Sequence, residues 1–333
     1  MKISVYFQTW SSVLPWTTNP LLTELAGISY PISNVNLAFA QPGSTYLKGQ
    51  ETFSGTGLDF SLDFQTVKAA IQILHEKNIT VMLSVGGSTF SWDDPNYLSL
   101  GYLVQDLGLD GIDLDWEPVN GIADSKKLGE IISRTYTMFQ GQLMDKKLSL
   151  TGWSTGAYNP LEGNLYQGMD QEGLVGAGTD LDWINIMTYD AGPTFDPQAA
   201  LLAYRKFYQG PINLGFEVGP QSWGGAVLSL DDAIQWSQFA LNENPANGIF
   251  IWSLEKPAEI DAQDVIQAIQ NIPSVESTHM HSPAYSYPTM ALPTLTLASN
   301  PQQTLGSDPI LVPSGAVGQS ALTLFIIILI CMC

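Results

Sequence analysis

Residues 109–118, Leu109-Asp110-Gly111-Ile112-Asp113-Leu114-Asp115-Trp116-Glu117-Pro118, put four carboxylates into one short apolar run. Asp113, Asp115 and Glu117 alternate with Ile112, Leu114 and Trp116, the period-two pattern of a strand with one charged and one apolar face. Neighbouring carboxylates on such a face start roughly 6.6 Å apart along the strand. Like charges in a row repel, and burial makes each ionised form costlier still, so folding alone does not ask for them. An exposed edge strand would tolerate them, but the opposite face is too bulky and apolar for that, and no Lys or Arg interleaves. Crowding and partial burial raise the pKa of one member of such a row, and a carboxyl that keeps its proton near neutral pH can protonate a leaving group. Glu117, nearest the strand's end, is the candidate general acid and afterwards the base for water. Asp113 and Asp115 lie deeper and are expected to share a proton and titrate as a coupled set. On spacing alone Asp115 would be the nucleophile.

Something must hold that strand with its end open to substrate. Apolar runs at Ile3–Phe7, Val35–Ala40, Ile79–Val85, Leu148–Trp153, Trp183–Tyr189, Ile212–Phe216 and Gly248–Leu254 read as seven further strands. Helical spacing recurs between them: Phe64, Val67, Ile71 and Leu74; 97–107; Ile132, Tyr136, Phe139 and Leu143; 197–207; 231–241; and 262–272. Eight strands alternating with helices predict a (β/α)8 barrel, for which about 250 residues suffice. The acidic strand is the fourth of the eight. Chemistry in such barrels sits at the C-terminal ends of the strands, and Glu117, just before Pro118, is read as the last residue of its strand.

Composition narrows the partners. The chain has 333 residues, 45% of them hydrophobic, and a net charge of −20 with only 12 Lys and Arg. Nucleic acid and anionic membrane surfaces call for basic patches and are excluded as partners; a neutral polymer such as a polysaccharide is compatible. The 9 Trp and 13 Tyr could stack on sugar rings, although ordinary core packing accounts for most aromatics. Cys331 and Cys333 are the only cysteines, so residues 1–330 hold neither a disulfide nor a Cys-based zinc site. The three histidines are His75, in a helical pattern, and His279 and His281, in the tail. No metal site and no cofactor is expected.

The run Asp-x-x-Asp-x-Asp-x-Glu, complete at Asp110, Asp113, Asp115 and Glu117, closely resembles the signature of glycoside hydrolase family 18, the chitinases and endo-β-N-acetylglucosaminidases. Ser84-x-Gly86-Gly87 on the third strand resembles the family's Ser-x-Gly-Gly, and Met187-x-Tyr189-Asp190 on the sixth its Met-x-Tyr-Asp. Trp252 on the eighth strand matches the Trp that floors the sugar subsite, and Tyr6 on the first strand is a further inward-pointing candidate. The resemblance covers residues 3–272, with the motifs in family order. It implies retaining, substrate-assisted hydrolysis, in which the substrate's own acetamide attacks and gives an oxazolinium ion. Asp115 then orients the acetamido N–H, Asp113 supports Asp115, Asp110 is structural, Tyr189 holds the acetyl carbonyl, and Asp190, Met187, Tyr6, Gly86, Gly87 and Trp252 are substrate-binding. The implied substrate is chitin or N-acetylglucosamine oligomers and the implied state a monomer. Many bacterial-type members insert a small α+β domain between strands seven and eight; residues 217–247 are too few for it, which predicts an open groove and endo-action. Trp10, Trp92, Trp153 and Trp223 could also stack on sugars or pack as core.

Other readings stay open. An endo-β-N-acetylglucosaminidase acting on N-glycans would share the signature, and a non-catalytic chitin-binding lectin would share the barrel. Gly152-Trp153-Ser154-Thr155-Gly156 fits the Gly-x-Ser-x-Gly of serine hydrolases, but its later histidines lie in the tail. Residues 1–273 form the catalytic barrel in this reading, and 274–320, rich in Ser, Thr and Pro, a disordered linker. The apolar segment 321–330 is shorter than the roughly 18–20 residues of a spanning helix and suits the tail of a glycolipid-anchor signal. Small residues at Ser314, Gly315 and Ala316 could supply its cleavage site. A short tail anchor acylated at Cys331 and Cys333 or a gene-model artefact would also account for the segment. The location expected is extracellular or cell-surface; no signal peptide is recognisable at the N-terminus, which weakens the anchor reading, and a truncated N-terminus would reconcile the two. Asn78-Ile79-Thr80 is the lone glycosylation sequon.

Overall fold

The computed structural model describes residues 1–11, 16–117, 124–142, 145–159, 167–192, 195–219, 228–254 and 260–272. Eight strands, β1 (Lys2–Gln8), β2 (Asn34–Ala40), β3 (Thr80–Gly86), β4 (Gly111–Asp115), β5 (Lys147–Gly152), β6 (Trp183–Ile186), β7 (Ile212–Glu217) and β8 (Gly248–Trp252), pair in parallel in chain order, and β8 closes on β1. The helices are α1 (Glu24–Gly27), α2 (Phe64–Glu76), α3 (Tyr97–Leu107), α4 (Ser125–Gln142), α5 (Gln171–Ala177), α6 (Pro197–Arg205), α7 (Leu230–Glu243) and α8 (Ala262–Gln270). This is the expected (β/α)8 barrel. It lies within a unit running from Met1 to His279. The linker and apolar segment, with His279, His281, Cys331 and Cys333, fall outside the described residues, as do Leu143, Pro118 and Trp223. Among the described residues no helix is long and apolar enough to cross a membrane.

The strand alternation sorts two separate cores. Outward residues such as Val35, Leu37, Val81, Leu83, Ile112, Leu114, Leu148 and Leu150 are fully or almost fully buried beneath the helices, each contributing about 1.5–3 kcal/mol. Inside the barrel lies a second, smaller cluster, Tyr6, Ala38, Met187, Phe250 and Trp252, above a polar interior that includes Asn36, Ser84, Asp113, Ser149, Thr151 and Asn185. Local signals set the helices. Asp63 caps α2 by accepting from Thr66 N–H at 2.8 Å, and Phe64, Val67, Ala70, Ile71 and Leu74 face the barrel. Asp261 and Asp264 form a reciprocal capping box at the start of α8.

Several strands end earlier than the sequence reading has them: β5 at Gly152 and β8 at Trp252, and with more consequence β4 and β6. β4 ends at Asp115, so Glu117 is not the last residue of the strand but lies two residues beyond it. There Glu117 N–H turns back to Asp115 O at 3.2 Å, while Trp116 N–H still reaches Thr151 O at 3.0 Å. β6 ends at Ile186, so Met187, Tyr189 and Asp190 stand in the segment after it. Two short helices, α1 and α5, are additional; with four and seven residues they are too brief to show a helical period.

Candidate active site

The carboxylates on β4 form a column. In register, Asp113 sits between Ser84 of β3 and Ser149 of β5, and Asp115 between Gly86 and Thr151. Asp113 is wholly buried and accepts hydrogen bonds from five side chains. Ser149 Oγ donates to Oδ1 at 2.6 Å, Tyr6 Oη to Oδ2 at 2.7 Å from the opposite side of the barrel, and Ser84 Oγ to Oδ2 at 2.9 Å. Thr151 Oγ1 lies 3.0 Å and Asn185 Nδ2 3.3 Å from Oδ1. Burial still holds its pKa above the ordinary carboxylate range against all these donors. Asp115 is also buried, and its Oδ1 has no hydrogen-bond partner among the described residues. Burial first, then the charges of Glu117 and Asp113, push its pKa well up. Burial raises Glu117 to about 7, a shift only partly offset by a hydrogen bond from Ser88 N–H. Asp115 and Glu117 are thereby both shifted toward their protonated forms and titrate as a set.

Above it opens a cavity of about 420 Å³ lined by Tyr6, Phe39, Ser88, Asp115, Glu117, Trp153, Ser154, Met187, Tyr189, Asp190 and Trp252. Phe39 and Trp252 stack with centroids 5.6 Å apart and an interplanar angle of 17°. Trp10, 48% exposed, continues them outward at 6.1 Å from Phe39 and 6.4 Å from Trp252. An apolar aromatic face beside carboxyl groups suits a ligand with a flat CH-rich face and polar edges, which is what a pyranose presents. Tyr189 keeps its proton: burial, then Asp115, Glu117 and Glu217, hold its pKa well above the ordinary tyrosine value. Its hydroxyl is a permanent donor at the wall. Among the described residues no three His, Cys, Asp or Glu side chains are grouped as a metal site requires.

The family model for glycosyl hydrolases family 18 matches residues 2–223. The chain belongs to glycoside hydrolase family 18. None of the curated proteins compared with it matches. Among solved structures, a family 18 chitinase from Pseudoalteromonas aurantia superposes with a TM-score of 0.58 at 20% identity, covering 81% of this chain and 99% of the other. The Group IV chitinase of Ostrinia furnacalis, in complex with allosamidin, gives a TM-score of 0.59 at 12% identity over 81% and 97%. A fungal family 18 endo-β-N-acetylglucosaminidase gives 0.56 at 18% over 81% and 96%. At these identities the likeness speaks for the fold.

Within the family 18 barrel the sequence-predicted residues separate into groups. Asp115, Glu117, Met187, Tyr189, Asp190, Trp252 and Tyr6 come together around the cavity, joined by Trp153. Tyr6 lends its hydroxyl to Asp113 and Thr151, so it supports the column from below. Gly86 and Gly87 lie off the cavity lining. A Cβ on Gly86, at φ +115°, would fall 2.1 Å from Asp115 O, and one on Gly87 2.9 Å from the Phe39 ring. Their backbone gives close approach to neighbouring chain rather than to the open cavity. Asp110 stands at the opposite end of the acidic run, accepting from Val81 N–H at 2.7 Å and facing His75 Nε2 at 3.0 Å. Burial opposes ionisation there, but these contacts win and its pKa is lowered. Trp92 is buried against Trp116 at 5.9 Å and is core. Ser154 lines the cavity, but His75, the histidine described, is committed to Asp110, so no serine triad forms among the described residues.

Sequence reasoning missed Phe39, Ser88 and Glu217. Phe39 was hidden in an apolar strand, and Ser88 follows the glycine pair by one residue. Glu217 closes β7, 2% exposed and in register with Trp252; a lone acid ending an apolar strand was the signal. The donors on Asp113 were legible too, because Ser149 and Thr151 alternate with Leu148 and Leu150.

Proposed function

We propose that this protein is a chitinase that cleaves β-1,4 bonds between N-acetylglucosamine units with retention, by substrate assistance. The observation that carries the reading is the graded column: Asp113 saturated with donors, Asp115 with a bare buried oxygen, and Glu117 raised to about 7 at the cavity. Glu117 donates its proton to the glycosidic oxygen as the bond to C1 breaks. The carbonyl oxygen of the substrate's 2-acetamido group attacks C1, giving an oxazolinium ion. Asp115 Oδ1 accepts the acetamido N–H, which supplies the partner it lacks, and Tyr189 Oη donates to the carbonyl oxygen. Glu117, now a carboxylate, takes a proton from the water that opens the ring, and its own proton is restored. Trp252 and Phe39 form the floor on which the reacting sugar stacks.

An endo-β-N-acetylglucosaminidase would use the same acetamide chemistry, and a fungal one is among the solved structures that share this fold. Incubation with chitin oligomers and with a high-mannose glycoprotein, read by mass spectrometry, separates the two: oligomer shortening supports the chitinase, and release of the glycan alone overturns it. Cello-oligosaccharides, which lack the acetamide, should remain intact; their hydrolysis would remove substrate assistance. Chitin binding without turnover, equal in wild type and Glu117→Gln, would make the protein a lectin.

A further inference from the structure

Trp153 forms part of the cavity wall, and its backbone is held by two side chains outside the carboxylate column. Tyr204 of α6 is fully buried, and its hydroxyl lies 2.7 Å from Trp153 O. The same hydroxyl is hydrogen-bonded to Oδ2 of Asp170, which is also fully buried. The Asp170 carboxyl in turn accepts from Trp153 N–H. Room for the arrangement comes from the two glycines of Gly152-Trp153-Ser154-Thr155-Gly156. A Cβ on Gly152 would fall 2.6 Å from Tyr204 Oη and 2.7 Å from Asp170 Oδ2, and one on Gly156 2.6 Å and 2.1 Å from the same atoms. The Gly-x-Ser-x-Gly pattern thus has a structural use, and it does not concern Ser154.

A tyrosine hydroxyl carries one proton, but here it contacts two oxygens, a carbonyl that can only accept and a carboxyl. Both contacts are hydrogen bonds at once only when the carboxyl brings a proton of its own. Asp170 O–H then donates to Tyr204 Oη, and Tyr204 O–H donates to Trp153 O. When Asp170 ionises, the tyrosine proton turns to the carboxylate and Trp153 O loses its side-chain donor, keeping only the local turn bond from Gly156 N–H at 3.0 Å. We propose that Asp170, in its protonated form, is a positioning residue that sets Trp153 at the cavity wall through the Tyr204 hydroxyl. The burial that raises Asp170 to about 7 supports this, because it places the change within the working range of most enzymes. Among the described residues Tyr204 is the titratable group facing Asp170. Gly152, Trp153 and Gly156 present backbone there, and Glu172 of α5 is exposed. On the cavity side Trp153 shares its wall with Asp115, Glu117, Tyr189 and Asp190.

The significance for sugar binding rests on the hydrolase reading; the device itself does not. Fluorine NMR of the full chain labelled with 5-fluorotryptophan needs no substrate, and Trp153→Phe identifies the Trp153 resonance. In a Glu117→Gln background, which removes another group of the cavity wall raised to about 7, the resonance should shift between pH 5 and 9 with a midpoint near 7. Asp170→Asn, whose amide can donate to Tyr204 as the protonated acid does, should hold the signal at its low-pH position up to pH 9. Tyr204→Phe should lose the pH-dependent shift and hold the signal away from that low-pH position. A resonance that does not titrate in Glu117→Gln, or one that titrates unchanged in Asp170→Asn or Tyr204→Phe, overturns the proposal. If the resonance behaves as expected but no N-acetylglucosamine polymer is cleaved, the proposed function fails and the positioning device stands. Where turnover is measurable, KM should rise above pH 7 in wild type and stay flat in Asp170→Asn, while kcat keeps the limb set by Glu117.

Discussion

Four buried carboxyls with raised pKa values make a prediction about the whole molecule. A carboxyl whose folded pKa exceeds its unfolded one binds more protons folded than unfolded, so stability falls as pH rises through the interval between the two. Glu117 goes from 4.5 to about 7 and Asp170 from 3.8 to about 7. At about 1.4 kcal/mol per pH unit, Glu117 contributes about 3 kcal/mol and Asp170 about 4 kcal/mol of stability that is present at pH 4 and gone by pH 8. Asp113 and Asp115 act in the same direction. The groups with lowered values, Asp63, Asp93 and Asp110, act only below the ordinary carboxylate range, so their stabilisation fades under about pH 4. The barrel should be most stable near pH 4–5 and should weaken toward neutrality, opposite to proteins whose acids are held by salt bridges. Urea unfolding followed by circular dichroism from pH 4.5 to 8.5 measures this. Around pH 6 the two groups alone give a slope of about −2.4 kcal/mol per pH unit, and Glu117→Gln or Asp170→Asn should each reduce it by about 1.2 kcal/mol per pH unit. A stability flat or rising between pH 5 and 7, or a slope unmoved by either substitution, would refute the reasoning.

Three further outcomes can be checked. Glu117→Gln should lower kcat by about 10²–10⁴-fold with KM little changed, and the alkaline limb of kcat near pH 7 should vanish, as initial rates at saturating substrate across pH would show. Tyr189→Phe removes the donor proposed for the acetyl carbonyl and should cost roughly 10²–10³ in kcat, measured on a chromogenic oligomer. Gly86→Ala, forced to φ +115° with its Cβ 2.1 Å from Asp115 O, should lose at least about 1–3 kcal/mol of stability from backbone strain alone and should lose activity with it, read by denaturation and rate together.

The barrel was legible because its strands are long apolar runs such as Val35–Ala40 and Ile212–Phe216, and the candidate acid site because three carboxylates on one strand face have no folding rationale. What stayed hidden depends on where strands stop. Nothing in Ile186-Met187-Thr188-Tyr189 announces that β6 ends at Ile186, because that end is set by pairing with β5 and β7. The clamp on Trp153 was out of reach for a similar reason. Asp170 and Tyr204 lie 34 positions apart on different elements, and Gly152 and Gly156 suggested a nucleophile elbow until their neighbours were known. Gly86 and Gly87 were read as making way for a ligand; the atoms nearest them belong to Asp115, Trp92 and Phe39.

The acidic run carries both the chemistry and its own alignment marks. A slip of one residue in the pairing of β4 would turn Asp113 and Asp115 out among the helices and point Ile112 and Leu114 into the barrel. Asp110, at the start of the run, ties its side chain to Val81 N–H and His75 and its own N–H to Val81 O, while Lys147 N–H reaches Asp110 O. These ties fix which residue faces which before the strand reaches the cavity. For molecules that have closed the barrel, turnover therefore reports β4 seated in register. A refolded preparation could match the native one in secondary structure and still owe its missing activity to molecules paired one residue out.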